Sequence, residues 1–370
     1  MKRKFGSLFG GCGGFSLGAK MADCDLRWAI EYEENIAKIA NRNLGQHTIC
    51  RDVLDCEPVN YEPVDILQAS PPCPNFSIAK VGAKETELDI ALANKIGDFI
   101  YVLQPKVFIL ENVYGYRNSE SFKRICKWLE LCDYSINFFH MNFADFGVAQ
   151  TRKRLILIAR KDNKRILRPS PTHQKIASMF HAPWVGWYEA TKQFHDDCDE
   201  SFFADWQIDL MMKMPEFETV LMHNQKSSDS RNPAQPIYTV TSKSFEAFLL
   251  RGDNSSSAKI VNANDPSFTV TSNQERNHHR AFLFEKANTS RLGYRSEDEP
   301  SMTLISRMDK TQYIAWLQEN GKVIKLNIDC LAALQSFPPE WVWPSKISIA
   351  GKAIGNAIPP LAAMRIIEST

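Results

Sequence analysis

Three groups of residues in this chain have the types and spacing to do chemistry. The first is Ser70-Pro71-Pro72-Cys73-Pro74-Asn75-Phe76-Ser77, which follows an apolar strand candidate at 64–69. Cys73 therefore stands on a loop at the carboxyl end of a strand. The two prolines before it fix φ and remove two backbone donors, so the loop entering the thiol is stiff. A rigidly presented thiol reads as a held nucleophile. The second group is Glu111, at the end of a strand candidate at 107–110 and followed by Asn112 and Val113. The third is Gln150-Thr151-Arg152-Lys153-Arg154, just before a strand candidate at 154–159. Guanidinium groups there could orient a ligand, contact phosphate and hold a cysteine as thiolate.

Positioning these groups requires a regular scaffold, and the hydrophobic pattern supplies one. Strand candidates at 4–9, 27–32, 47–50, 64–69 and 107–110 alternate with helix candidates at 15–21, 33–43, 88–103 and 121–132. Strands at 134–141 and 154–159 follow. This alternation predicts an α/β fold with a doubly wound, mostly parallel sheet. In such sheets ligands bind outside the carboxyl ends of the strands. The glycine cluster Gly10-Gly11-Cys12-Gly13-Gly14, Glu31, Asp52, Cys73 and Glu111 all fall at those ends.

The glycine cluster lets the backbone turn tightly and a ligand approach closely. Glu31, 20 residues past Gly11, can accept hydrogen bonds from ribose hydroxyls, and Asp52 could accept from an adenine amino group. Spacing points to a nucleoside-type cofactor and leaves dinucleotide and S-adenosylmethionine both open. Cys73 decides between them. A hydride-transfer enzyme has no need of a thiol on that loop. Methyl transfer to carbon 5 of a pyrimidine does, because that carbon is a poor nucleophile until a thiolate adds to carbon 6. An acid near N3 must then neutralise the developing charge, and Glu111 fits.

Composition narrows the context. With 370 residues, 44% hydrophobic and 24% charged, the chain is ordinary globular material for one large or two smaller domains. No apolar run spans a bilayer, and no signal peptide is read at the N-terminus. Nine scattered cysteines without a C-x-x-C pair read as free thiols and argue against zinc. These features lead us to expect a cytoplasmic protein without metal or membrane. A net charge of +1 means that a nucleic-acid enzyme of this sequence must segregate its charge into a basic face.

Taken together, Ser7-Leu8-Phe9-Gly10-Gly11-Cys12-Gly13-Gly14, Pro71-Pro72-Cys73, Glu111-Asn112-Val113, Gln150-x-Arg152-x-Arg154 and Gly355-Asn356-Ala357-Ile358-Pro359 resemble the ordered motifs of the DNA (cytosine-5)-methyltransferases. Leu334-Gln335-x-Phe337-Pro338 resembles the motif that precedes the last one. The resemblance covers 1 to about 160 and about 325 to 370. It implies S-adenosyl-L-methionine as cofactor, duplex DNA as partner, a flipped-out cytosine as substrate and Cys73 as nucleophile. By matched position it places Phe9, Gly11, Gly13, Glu31, Asp52, Pro72 and Asn356 around the cofactor, and Glu111, Arg152 and Arg154 around the base. It implies a bacterial-type, DNA-associated, monomeric enzyme, with restriction-modification as its setting. Two positions depart from the family pattern: Ser7 stands where Asp is usual, and Pro74 where Gln is usual. The polar stretch 78–86 has the composition of a loop that closes over the site.

The resemblance also predicts domain boundaries: a catalytic domain from 1–163 and 325–370, and a smaller β-rich target-recognition domain at 164–324. Within the latter, Pro236, Pro266 and Pro300 each open a Pro-x-x-Thr strand-like unit, at offsets of 30 and 34 residues. Lys243, Arg251, Arg276, His278, His279, Arg280, Arg291, Arg295, Arg307 and Lys310 are candidates for phosphate and base contacts. The acidic run Asp196-Asp197-x-Asp199-Glu200 reads as a solvated loop. The stretch after Pro359 reads as a helix that docks beside the glycine loop. Transfer RNA is the second substrate class to consider, a catalytically silent DNA-binding regulator the third, and a nicotinamide dehydrogenase a distant fourth.

Overall fold

Unbroken apolar runs form the centre of a seven-stranded sheet in the computed structural model of the chain. The structure describes residues 2–72, 85–162, 164–200, 219–224, 246–251, 259–262, 281–286, 294–304, 312–317 and 322–370. Cys73, Pro74 and 78–84 lie outside the described residues. So do the repeat units at 236–242 and 266–272, and Lys243, Arg276, His278, His279, Arg280, Arg291, Arg307 and Lys310.

The strands are β1 (Lys4–Leu8), β2 (Asp25–Glu31), β3 (Thr48–Cys50), β4 (Ile66–Ala69), β5 (Val107–Asn112), β6 (Ser135–Asn142) and β7 (Lys153–Arg160). Their order is β3-β2-β1-β4-β5-β7-β6. β1 to β5 are parallel, and β7 runs antiparallel to both β5 and β6. Both faces are covered by helices, which explains why β5 carries no polar alternation. Phe108 and Leu110 pack with Ile96, Phe99, Ile125 and Leu129 of α3 (Glu87–Leu103) and α4 (Glu120–Leu131). Val107 and Ile109 pack on the other side with Phe15 and Ala19 of α1 (Gly14–Met21) and with C-terminal residues Ala363 and Ile366. α2 (Glu34–Leu44) joins β2 to β3.

Local signals set the helix boundaries. Thr86 and Asp89 form a reciprocal capping box, with Asp89 N 3.3 Å from Thr86 Oγ1 and Thr86 N 2.8 Å from Asp89 Oδ2. Ser119 Oγ caps α4 by accepting from Phe122 N at 2.9 Å. Strand β5 runs two residues past its predicted end, so Glu111 and Asn112 are strand residues rather than loop residues.

The C-terminal region supplies α6 (Ile328–Leu334), α7 (Ile347–Asn356) and α8 (Pro360–Glu368), after a short α5 (Trp187–Thr191). α8 packs against α1 through small residues. A Cβ on Gly18 would lie 2.5 Å from Ala363 Cβ and 2.6 Å from the Pro360 carbonyl oxygen. A Cβ on Gly14 would overlap the Ile358 carbonyl oxygen. Arg3 ties the two ends of the chain by donating to the Thr370 and Ile367 carbonyls at 2.9 and 3.2 Å.

The chain divides into two compact units. One comprises Met1–Thr191, Asp298–Asp309 and Ile328–Thr370; the other comprises Lys192–Glu297 and Lys310–Asn327. The composition change at 164 thus precedes the structural division, and the chain returns to the sheet-bearing unit through Asp298–Asp309. The second unit holds two antiparallel sheets among its described residues. One has five strands in the order Asp199–Glu200, Lys322–Lys325, Gln312–Leu317, Ala281–Lys286, Tyr294–Ser296. The other has three: Thr219–Asn224, Glu246–Arg251 and Lys259–Asn262. The acidic run is not wholly loop. Asp199 and Glu200 form an edge strand opposite Lys325 and Ile324, with their side chains exposed.

Candidate active site

Strand order reverses between β1 and β4, which is the topological switch point of the sheet. The glycine loop leaves β1 there, and the Pro71-Pro72 loop leaves β4 beside it. Ser70 N donates to the Leu8 carbonyl at 3.3 Å, so the two loops diverge from a shared hydrogen bond. A crevice at this position results from topology alone: crossovers to opposite faces leave the carboxyl edge open.

The glycine loop needs its residue types. Phe9, Gly11 and Gly13 adopt left-handed φ values of 60°, 56° and 92°. For Phe9 that conformation is strained, the kind of local cost that collects at functional sites. A Cβ built on Gly11 meets nothing within 4 Å, so the backbone there borders open space that a ligand can use. Glu31 shapes the loop from the neighbouring strand. Its Oε2 accepts from Gly11 N at 2.8 Å and its Oε1 from Glu33 N at 2.9 Å. Each oxygen retains a lone pair for a further donor such as a ribose hydroxyl. Burial pushes the Glu31 pKa up, and the backbone donors of Glu33 and Gly11 oppose it. Asp52 is half-buried after β3, and its Oδ1 accepts from Leu54 N at 2.9 Å. Glu33 pairs with Lys352 of α7 at 2.6 Å, which anchors the C-terminal return beside this edge. Asn356 is exposed at the end of α7, and Pro72 is exposed at the last described position before Cys73. The open space at Gly11 and the paired lone pairs of Glu31 fit a nucleoside-bearing cofactor.

Ser7 belongs to a buried polar relay. Its hydroxyl is 2.7 Å from Gln68 Oε1, and Gln68 Nε2 donates to Ser70 Oγ at 2.7 Å. Ser7 is fully buried and Gln68 nearly so, and the neutral amide satisfies the buried hydroxyl. The relay ties the start of the glycine loop to the residue that opens the Pro-Pro-Cys loop.

On the base side, Glu111 and Arg154 are neighbours. Arg154 Nε lies 3.1 Å from Glu111 Oε1, with side-chain exposures of 14% and 9%. An ion pair this buried is geometrically committed, because losing either partner strands a charge. Asn112 Nδ2 donates to the Pro71 carbonyl at 3.1 Å, which holds the entrance of the cysteine loop against β5. Beyond the loop, Glu85 accepts from Glu120 N and Ser121 N, the N-terminal donors of α4, at 2.8 and 2.7 Å. The chain on either side of 73–84 is therefore pinned to the ends of β5 and α4. Cys73 itself is outside the described residues, but Pro71, two residues before it, is bonded to Asn112, the neighbour of Glu111. Two other thiols are unsuited to nucleophilic work: burial pushes Cys12 up to about 12 and Cys126 up to about 11.

Arg152 goes elsewhere. It is buried, and its Nη1 donates to the Leu304 carbonyl at 3.3 Å. The whole 149–152 segment is laced to 301–304. Ser301 N donates to the Ala149 carbonyl at 2.9 Å, Thr151 N to the Ser301 carbonyl at 2.8 Å, and Thr303 Oγ1 to the Thr151 carbonyl at 2.6 Å. This strap is the third of the Pro-x-x-Thr units, which the expected boundaries place in the target-recognition domain and which lies here in the sheet-bearing unit. The repeat made it visible, but nothing in the repeat separated this copy from the other two. Gln150 is fully buried, and neither of its amide atoms has a partner among the described residues. No group of three or more His, Cys, Asp or Glu among the described residues could hold a metal ion. No described helix is long and apolar enough to cross a membrane.

Comparison with known proteins agrees with this fold. The family model described as C-5 cytosine-specific DNA methylase matches residues 3–370. The Type II methyltransferase M1.HphI of Haemophilus parahaemolyticus is 25% identical over 98% of this chain and 85% of its own length. The Type II methyltransferase M.NgoFVII of Neisseria gonorrhoeae is 32% identical, over 50% of this chain and 51% of its own length. Among solved structures, the S. pombe Dnmt2 methyltransferase covers all of this chain and 98% of its own at a TM-score of 0.57 and 12% identity. A Spodoptera frugiperda DNMT2 mutant covers all of this chain and 99% of its own at 0.59 and 13%. At such identities these structures speak for the fold. The family model spans both chain ends and the return between them, and the chain belongs to the C-5 cytosine-specific DNA methylase family.

Proposed function

We propose that the chain methylates carbon 5 of a flipped-out cytosine within a specific sequence of duplex DNA, through a covalent Cys73–cytosine adduct. The observation that carries this reading is the buried Glu111–Arg154 pair beside Asn112, whose amide holds the carbonyl two residues before Cys73. In this reading the Cys73 thiolate adds to carbon 6. As the thiolate adds, N3 takes up a proton that the Glu111 carboxylate holds there and gives it up when the carbon 6–sulfur bond breaks, so the ring gains enamine character without a full negative charge. Arg154 orients the Glu111 carboxyl, and Arg152 stiffens the neighbouring segment through the 301–304 strap. Bound S-adenosyl-L-methionine supplies an electrophilic sulfonium methyl. Carbon 5 takes up the methyl and then loses its proton to a base. The carbon 6–sulfur bond breaks, which restores the ring double bond and frees the thiolate. Carbon 6 is inaccessible to a thiolate inside the base stack, so the cytosine must leave the duplex.

Phe9, Gly11, Gly13, Glu31, Asp52, Pro72 and Asn356 would hold the cofactor. Lys192–Glu297 with Lys310–Asn327 would read the target sequence. The naming of the relatives as type II methyltransferases supports a place in restriction-modification. The test is incubation with tritiated S-adenosylmethionine and either genomic duplex DNA or transfer RNA. Label should enter DNA; label in transfer RNA alone would reassign the substrate. Duplex carrying 5-fluorocytosine should trap an adduct, and an adduct that persists in Cys73→Ala would refute the covalent step.

A further inference from the structure

No acidic residue stands between Asp162 and Glu189, whereas Lys164, Arg165, Arg168 and Lys175 all do. In a chain of net charge +1 that is a segregated basic stretch. It forms an arm that leaves β7 at the amino edge of the sheet, where Arg160 lies opposite Val107 and Ser135, and runs along β6 to the carboxyl edge. β6 runs parallel to β5 because β7 is antiparallel to both, so β6 ends on the same edge as Glu111. The turn Phe143–Phe146 follows β6, and the arm is fastened there twice. Thr172 N donates to the Asp145 carbonyl at 2.9 Å, and Trp184 Nε1 to Asp145 Oδ1 at 2.9 Å. Arg168 lies on that path, donating to the carbonyl of His140 in β6 at 3.0 Å. His140 stacks on Tyr114 at 4.1 Å. Burial raises the Tyr114 pKa, and the charges of Arg168 and Arg154 oppose it, so the arm and the catalytic pair share one electrostatic neighbourhood.

The tip of the arm is apolar and outward. Ile176, Met179 and Phe180 are 80%, 91% and 84% exposed. A tight turn holds them there: Ser178 N donates to the His181 carbonyl at 3.0 Å, and Phe180 N to Ser178 Oγ at 3.3 Å. An exposed apolar cluster above a basic stem matches duplex DNA, where cations meet phosphates and an apolar wedge enters a base step.

We propose that the 164–184 arm is a second DNA contact, carried by the catalytic unit and independent of target sequence. Arg165, Arg168 and Lys175 meet phosphates flanking the target, and Met179 and Phe180 press against the duplex between them. This inference rests on the duplex-DNA reading above. It is tested with the full chain and a fluorescein-labelled random-sequence duplex, titrated across a range of salt concentrations. R165A/R168A/K175A should flatten the slope of log affinity against log salt by about 2–3. M179S/F180S should weaken binding several-fold with the slope unchanged. S-adenosylmethionine affinity should match wild type in both variants, which reports an intact fold. Wild type that binds no duplex would overturn the substrate reading itself. Wild type that binds, with both variants unchanged, would overturn the arm alone. Altered sedimentation of M179S/F180S at unchanged DNA affinity would assign the tip to self-association and likewise overturn the proposal.

Discussion

Gly18→Ala is the sharpest test of how the two chain ends make one site. Intrinsic helix propensity favours alanine by about 1 kcal/mol, so an uncrowded α1 would become more stable. The structure predicts the reverse. The new Cβ would sit 2.5 Å from Ala363 Cβ, 2.6 Å from the Pro360 carbonyl oxygen and 2.8 Å from Met364 N, where ordinary contact begins at 3.4 Å. These are backbone atoms and a rigid methyl, so α8 must retreat by about 1 Å as a unit. Overpacking of this kind costs about 1–3 kcal/mol, and the upper end applies where nothing can rotate away. Net of propensity, a loss of about 2 kcal/mol corresponds to a Tm drop of about 4–8 °C for the sheet-bearing unit. Because α1 begins at the glycine loop, S-adenosylmethionine affinity should fall as well. Scanning calorimetry and isothermal titration read the two effects. G18A/A363G removes the 2.5 Å contact and keeps the backbone ones, so its recovery should be partial. A G18A protein with Tm at or above wild type would refute the close α1–α8 packing.

Thr303→Val deletes the hydroxyl that donates to the Thr151 carbonyl; kcat/KM for DNA should fall about 3- to 10-fold while cofactor affinity holds, in keeping with about 1 kcal/mol for one hydrogen bond. Arg154→Gln strands the buried Glu111 carboxylate and should cost about 100-fold in methyl transfer. Adding Glu111→Gln should then cost little more, and losses that multiply across the two sites would argue against a coupled pair. Removal of 350–370 uncovers Gly14 and Gly18 and takes away Lys352, so cofactor binding should disappear; unchanged affinity would defeat the docking. Burial pushes His195 down to about 4, whereas its unfolded side chain protonates near 6.5. The unfolded state therefore binds the extra proton first, and stability should be full above about 6.5 and decline as pH falls toward 4. His195→Gln should flatten that decline in urea midpoints measured from pH 4 to 7.

The amino-acid sequence by itself determined the alternation of strands and helices and the chemistry of the site. Apolar runs and helical periodicity are local, and β1, β4 and β5 read as buried strands because both of their faces are covered. The glycine loop, Glu31, Glu111 and the Gln-x-Arg-x-Arg run were legible as residue types at strand ends. Their partners were not. That Arg154 and not Arg152 would meet Glu111 depends on the antiparallel insertion of β7 between β5 and β6, which no local pattern encodes. That the third Pro-x-x-Thr unit would leave its repeat and strap 149–152 depends on contacts about 150 residues apart. Ser7 departs from the family pattern in the sequence, and only the fold supplies its partner, Gln68 on the adjacent parallel strand. Sequence decides which groups are available and where each strand stops. Only the tertiary fold decides which of those strand ends lie side by side, because hydrogen-bonded register joins segments that the chain keeps far apart.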